Sequence, residues 1–259
     1  MYATWRVRPP MLNKVPEVTS ILWIIKILST TVGETGADYL AVYGGLGTNL
    51  TMACTASILL VALVIQLRAP RYVPWIYWLT VVLVSIVGTQ ITDLLTDKLE
   101  ISLYVSTAVF ACALIATVAI WYAAERTLSI RTIVTSRREL FYWAAILFTF
   151  ALGPAAGDLA TEALGLGFQL GVIAFGAFIA LIGAFYRLGA NPVLTFWLTY
   201  ILTRPLGASL GDLLSQSRTY GGVGLGTIYT SLGFLTVIIA LVTWVTFEGE
   251  PSETADPAR

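Results

Sequence analysis

WIIKILSTTVGETGAD, Trp23 to Asp38, is an apolar run that carries a lysine, two glycines and two acids. Its spacing recurs three times, as WLTVVLVSIVGTQITD (Trp78 to Asp93), WAAILFTFALGPAAGD (Trp143 to Asp158) and WLTYILTRPLGASLGD (Trp197 to Asp212). In every copy nine residues separate Trp from Gly and four separate Gly from Asp. The copies start 55, 65 and 54 residues apart, and self-similarity at such a period marks a repeat architecture. Four acids at one register inside apolar stretches are what the rest of the chain has to accommodate.

The surroundings of these runs decide the fold class. Apolar residues make up 57% of the 259-residue chain and charged residues 12%, with a mean hydropathy of +0.81. An ordinary soluble domain has about twice that charged share. Stretches of some twenty apolar residues follow one another with short gaps, the length a helix needs to cross a hydrocarbon core of about 30 Å. Strands of about ten residues with alternating polarity, the sign of a membrane barrel, are absent. We read eight spans, near residues 18–40, 47–67, 73–96, 101–123, 139–162, 166–187, 191–215 and 222–247. They predict an all-α polytopic membrane protein of four helical-hairpin repeats, near 18–72, 73–138, 139–190 and 191–247, within one domain over 18–247. Residues 1–17 read as a cytoplasmic lead and residues 248–259 as a charged, disordered cytoplasmic tail.

Basic residues orient the spans. Arg6, Arg8, Lys14, Arg68, Arg71, Arg126, Arg131, Arg137, Arg138 and Arg187 fall on one side, against Lys98 and Arg218 on the other. That asymmetry places both termini in the cytoplasm. Each hairpin crosses twice, so the four repeats run parallel about the membrane normal, in fourfold or two-plus-two order. Trp and Asp stand fifteen residues apart, about 22 Å of helix. Trp23, Trp78, Trp143 and Trp197 then mark the inner interface as an aromatic belt, and the four Asp share one depth toward the outer side.

A carboxylate within the hydrocarbon is costly unless paired or hydrated, and is a functional candidate by default. Glu34, Asp38, Asp93, Asp158 and Asp212 are therefore the expected cation-binding residues, with Glu34, Asp38, Asp158 and Asp212 as candidate metal ligands. Acids also recur one turn apart, as Glu34/Asp38, Asp93/Asp97 and Asp158/Glu162; like charges at that spacing repel unless a proton or cation intervenes. Asp97 and Glu162 have the alternative of lying solvated at the helix ends. Lys26 and Arg204, the basic residues inside spans, are candidate counter-charges for the empty site, with snorkelling to the interface as the alternative. Thr31, Asn49, Thr89 and Gln169 would add neutral oxygens. Gly33, Gly88, Gly153 and Gly207, with Pro154 and Pro205 close by, either loosen the helix to free carbonyls or let helices pack closely. Gly45-Leu46-Gly47 and Gly165-Leu166-Gly167 start even-numbered spans and allow tight turns.

Hard oxygen donors of this kind suit a proton, Na⁺, Mg²⁺, Ca²⁺ or Mn²⁺. The chain has no histidine, so imidazole ligation and the usual neutral-pH proton shuttle are excluded. Cys54 and Cys112 read as buried apolar residues. There is no P-loop, no CxxC and no Tyr-Asp partner for an intramembrane aspartyl protease, so no enzyme is expected, and the zero net charge offers no nucleic-acid footprint.

The motif tryptophans, with Leu12-Asn13-Lys14-Val15-Pro16-Glu17 and Thr30-Thr31-Val32-Gly33-Glu34-Thr35, carry a further resemblance. Over about residues 12–247 the chain resembles bacterial membrane proteins built from four tandem copies of a repeat of unknown function, two transmembrane stretches with a characteristic tryptophan. The resemblance implies the repeat count and the membrane class, and no activity. The residues themselves lead to a cation transporter or channel, a divalent metal ahead of Na⁺ or protons and proton coupling open, without a covalent cofactor. The expected partners are the lipid bilayer, an inorganic cation and a second copy in a homodimer. Two alternatives stand beside it: a non-transporting membrane sensor or scaffold, and a transporter of small organic cations.

Overall fold

The structure, a computed structural model, describes residues 13–43 and 48–248. These form eight helices and, among the described residues, no strand: α1 (Ser20–Tyr43), α2 (Thr48–Arg68), α3 (Pro74–Asp93), α4 (Leu103–Glu125), α5 (Ser136–Asp158), α6 (Gly167–Arg187), α7 (Pro192–Ser215) and α8 (Thr227–Glu248). Start signals are local. Pro74 and Pro192 stand in the first helical turn, where the missing N–H is no loss, and the Asn191 side chain caps α7 by accepting from the Val193 and Leu194 amides. The last helix starts at Thr227 and not near 222, because Gly221, Gly224 and Gly226 take positive φ angles, which a right-handed helix cannot continue. The expected tail over 249–259, residues 1–12 of the lead and Gly45-Leu46-Gly47 lie outside the described residues.

Six helices, α2 to α6 and α8, are long and apolar enough to cross a membrane. α1 and α7 have the length, 24 residues each, but Lys26, Glu34 and Asp38 in one and Arg204 and Asp212 in the other dilute their hydropathy. These two stand inside the bundle. The odd-numbered helices form a closed inner ring in the order α1, α3, α5, α7, with α7 packing back on α1. The even-numbered helices stand outside it: α2 lies against α3, α4 against α5, α6 against α7 and α8 against α1. Each even helix therefore packs mainly on the odd helix of the following repeat and touches its own partner little, which interlocks the four repeats into one body. Burial follows this division. Within their apolar windows α3 and α5 are 56% and 61% buried, whereas α6 is 6% buried.

The ring closes through the motif glycines, and all four contacts are the same contact. Gly33 meets Ser85, Gly88 meets Phe150, Gly153 meets Arg204 and Gly207 meets Thr30. Each partner lies three residues before the next repeat's glycine, so the interface is repeated four times about one axis. At Gly88 a Cβ would come within 2.8 Å of the Phe150 backbone; at the other three it would overlap the neighbouring side chain. A second small residue follows one turn later in every copy (Ala37, Thr92, Gly157, Gly211), giving the spacing that lets helix backbones approach in a membrane. Pseudo-fourfold order is thus built into the packing. α5 and α7 run unbroken through Pro154 and Pro205. The glycines accordingly serve packing, not helix breaking.

At the opposite end of the ring the tryptophans depart from the expected interfacial belt. Trp78, Trp143 and Trp197 are buried and Trp23 is half-buried. The three buried rings pack edge-on with Tyr77, Tyr142, Tyr200, Phe196 and Trp121, and Trp23 lies tilted against Phe196. The reason is geometric. Helices that touch backbone to backbone at the glycines diverge away from them, and the widening interior is filled by the largest rings.

Candidate functional site

Five residues past each glycine the inner helices carry their aspartates, and there the ring opens into a vestibule of about 860 Å³. Asp38 from α1, Asp93 from α3, Asp158 from α5 and Asp212 from α7 all line it, together with Glu34, Asp97 and Glu162. Glu34 and Asp212 are buried, Asp38, Asp93 and Asp158 half-buried, and Asp97 and Glu162 exposed. The expected common depth of the four aspartates is what the ring produces, and Asp97 and Glu162 take the solvated alternative. The π-helical turns Leu94–Lys98 and Leu159–Ala163 follow Asp93 and Asp158 directly. α1 and α7 lack such turns, so the acids at the rim are arranged two and two. Seven carboxyl groups surround one cavity, and among the described residues Lys98 is the single basic residue lining it. Among the described residues no three acids converge as ligands for one metal ion. Glu34, Asp38, Asp158 and Asp212 surround a space and do not form a ready-made coordination shell.

Behind Glu34, beneath the residues that line the vestibule, Arg204 forms a floor across the inner ring. Its side chain is fully buried and reaches from α7 to the three other inner helices. Nη1 donates to the Thr30 carbonyl at 2.8 Å, Nη2 to the Ser85 carbonyl at 3.0 Å and to the Thr89 hydroxyl, and Nε to the Phe150 carbonyl at 3.3 Å. Thr30, Ser85, Phe150 and Arg204 are the same repeat position, three before each glycine. One repeat's side chain thus occupies the centre of a carbonyl ring formed by the other three. Pro154 helps to supply it: a proline has no N–H for the carbonyl four residues back, which leaves the Phe150 oxygen for Arg204. Glu34, one residue past its glycine, completes the shell with Oε2 at 3.5 Å from Nη1, and Thr89 at the equivalent position donates to the same oxygen at 3.1 Å. The donor set gives the guanidinium its planar array of acceptors and a counter-ion.

Beneath the floor the ring is closed. Lys26 is buried with its Nζ 4.0 Å from the centre of the Phe150 ring and 4.3 Å from that of Tyr200, and among the described residues it has no hydrogen-bond acceptor. It neither snorkels nor balances an acid directly; two aromatic faces hold it. The Tyr77 and Tyr142 hydroxyls share a hydrogen bond of 2.5 Å. At the tryptophan end the chain preceding α1 folds under the bundle. Lys14 makes a fully buried ion pair with Glu139 at 2.6 Å and donates to the Leu67 carbonyl, while Gln66 donates to the other Glu139 oxygen.

The remaining expectations separate cleanly. Thr89 belongs to the site, whereas Thr31 is buried against its own helix and donates to the Ile27 carbonyl. Asn49 is exposed and accepts from Lys98 at 3.2 Å, and Gln169 is exposed. Cys54 and Cys112 are exposed free thiols, not buried ones, because α2 and α4 are outer helices. Sequence reasoning missed Gln90, a buried amide lining the vestibule that accepts from Thr55, and the tyrosines below the floor. Each had a signal: a lone polar or phenolic side chain within an apolar run that also carries the motif.

A family model described as Repeat of Unknown Function (DUF347) matches residues 21–72, 76–127, 141–189 and 195–249. No curated protein and no solved structure matches the chain.

Proposed function

From the premise that the chain belongs to this four-repeat membrane family, we propose that it is a cation carrier with its acid site open at the aspartate end. The observation that carries this reading is one cavity lined by four repeat-equivalent aspartates and Glu34, with the tethered cation Arg204 paired to Glu34 beneath it. An apolar bundle gains nothing from concentrating carboxylates in its interior unless a counter-charge visits them. Arg204 holds Glu34 when the vestibule is empty; an arriving cation takes over the carboxylates around it. The closed half beneath Arg204 speaks for alternating access and against an open channel. The excess of basic residues at the tryptophan end favours cytoplasmic termini and loading from outside.

A second reading concerns the cargo. A vestibule of 860 Å³ without a preformed three-acid cluster is roomier than a bare metal ion needs. It suits a small organic cation, or a metal ion that keeps part of its water shell. The reading is tested on purified protein in two steps. Thermal unfolding across Na⁺, Mg²⁺, Ca²⁺, Mn²⁺ and small amines identifies the cation that stabilises, a ligand at a hundred times its Kd adding about 2.7 kcal/mol. Uptake of that cation into proteoliposomes should then be abolished in Asp38→Asn and Asp158→Asn while both variants elute as folded protein. Undiminished uptake in both would leave a sensor or scaffold as the better account.

A further inference from the structure

A second cavity, of about 960 Å³, lies at the tryptophan end, away from the acids. It sits where α6 ends and α1 and α7 begin, beside the loop that carries Arg131. Its walls are of two kinds. Ile182, Trp23 and Phe196 supply an apolar surface, whereas Arg187 at the end of α6 and Ser129 and Arg131 in the α4–α5 connection supply donors. Arg131 and Arg187 are exposed and form no ion pair among the described residues, in contrast to Arg137 and Arg138, which share Glu125. Among the described residues no acidic side chain lines the cavity.

We infer that this cavity binds an anionic glycerophospholipid, with the phosphate held by Arg131 and Arg187 and the upper acyl chains along Ile182 and Phe196. The argument is charge complementarity at a defined depth. Arg187 ends α6 and Arg131 lies in the α4–α5 connection, so both guanidiniums stand outside the apolar spans, at the level of headgroups, where arginine recognises phosphate as a paired fork of donors. Apolar walls on the same cavity exclude a fully hydrated anion and fit a molecule that is charged at one end and aliphatic at the other. The site draws on all four repeats, Arg131 coming from the end of the second, and an occupant would tie the α6–α7 connection to α1. It is independent of the cation reading.

The test uses full-length protein in a neutral detergent. Phosphatidylglycerol should raise the unfolding temperature and remain bound in native mass spectra, whereas phosphatidylcholine and inorganic phosphate should do neither. Arg131→Gln with Arg187→Gln should bind phosphatidylglycerol about thirtyfold more weakly, the loss expected for two interfacial arginines. Both side chains are exposed, so the lipid-free unfolding temperature of the double variant should match that of the parent. A shift with phosphatidylcholine of the same size, stabilisation by inorganic phosphate alone, or undiminished lipid retention in the double variant would each overturn the proposal.

Discussion

Gly88 and Arg204 carry the most consequence per atom. Substitution at Gly88 drives a methyl group into the Phe150 backbone, which cannot rotate away. Gly36, on the same ring, has 3.6 Å to its nearest neighbour and room for a Cβ. Gly88→Ala should therefore lower stability by about 1–3 kcal/mol, the usual cost of overpacking, and Gly36→Ala should leave it nearly unchanged. Thermal unfolding in detergent separates the two. At Arg204, replacement by Leu leaves Glu34 buried without its counter-ion, a loss of about 3–5 kcal/mol. Adding Glu34→Gln should recover part of that loss, and a double-mutant cycle showing no coupling would remove the pair from the floor.

Among the elements, the even helices hold the repeats together because each leans on its successor's odd helix. The segment before α1 does similar work at the tryptophan end through Lys14, whose partners come from α2 and α5. Lys14→Met should destabilise the protein by about 3–5 kcal/mol, and Lys14→Met with Glu139→Leu by less, since no buried charge is then left unpaired. Unfolding midpoints of the two variants check this. Helix number and limits were legible from apolar runs, prolines and caps, with the start of α8 misplaced by the glycines at 221, 224 and 226. Which face of each helix is buried was less legible. The outer helices are apolar all round, so Cys54 and Cys112 looked like interior residues.

For the whole molecule the closing contact is α8 on α1, which repeats α2 on α3 without a covalent link. A circular permutant opened at Gly189, in the short turn between α6 and α7, with the natural ends joined by a flexible linker, should fold and keep its unfolding temperature within about 5 °C. It should also retain the cation-dependent stabilisation, because the vestibule draws one aspartate from each inner helix. A permutant that fails to assemble would mean that the order of the chain, and not the ring contact, closes the bundle.

Taken alone, the sequence determined the membrane class, the four repeats and the shared depth of Asp38, Asp93, Asp158 and Asp212, because these follow from hydrophobic length and from spacing along a helix. It also marked Arg204 as a candidate counter-charge inside a span, with snorkelling left open until the structure buried it. Only the tertiary structure decided that the odd helices form the inner ring, that the even helices cross to the next repeat, and that the tryptophans turn inward. It alone placed Arg204 among the carbonyls of Thr30, Ser85 and Phe150 and left Lys26 on two aromatic rings. Spacing along one helix is a local property of the chain, whereas the partner of each face depends on how four similar helices close around an axis.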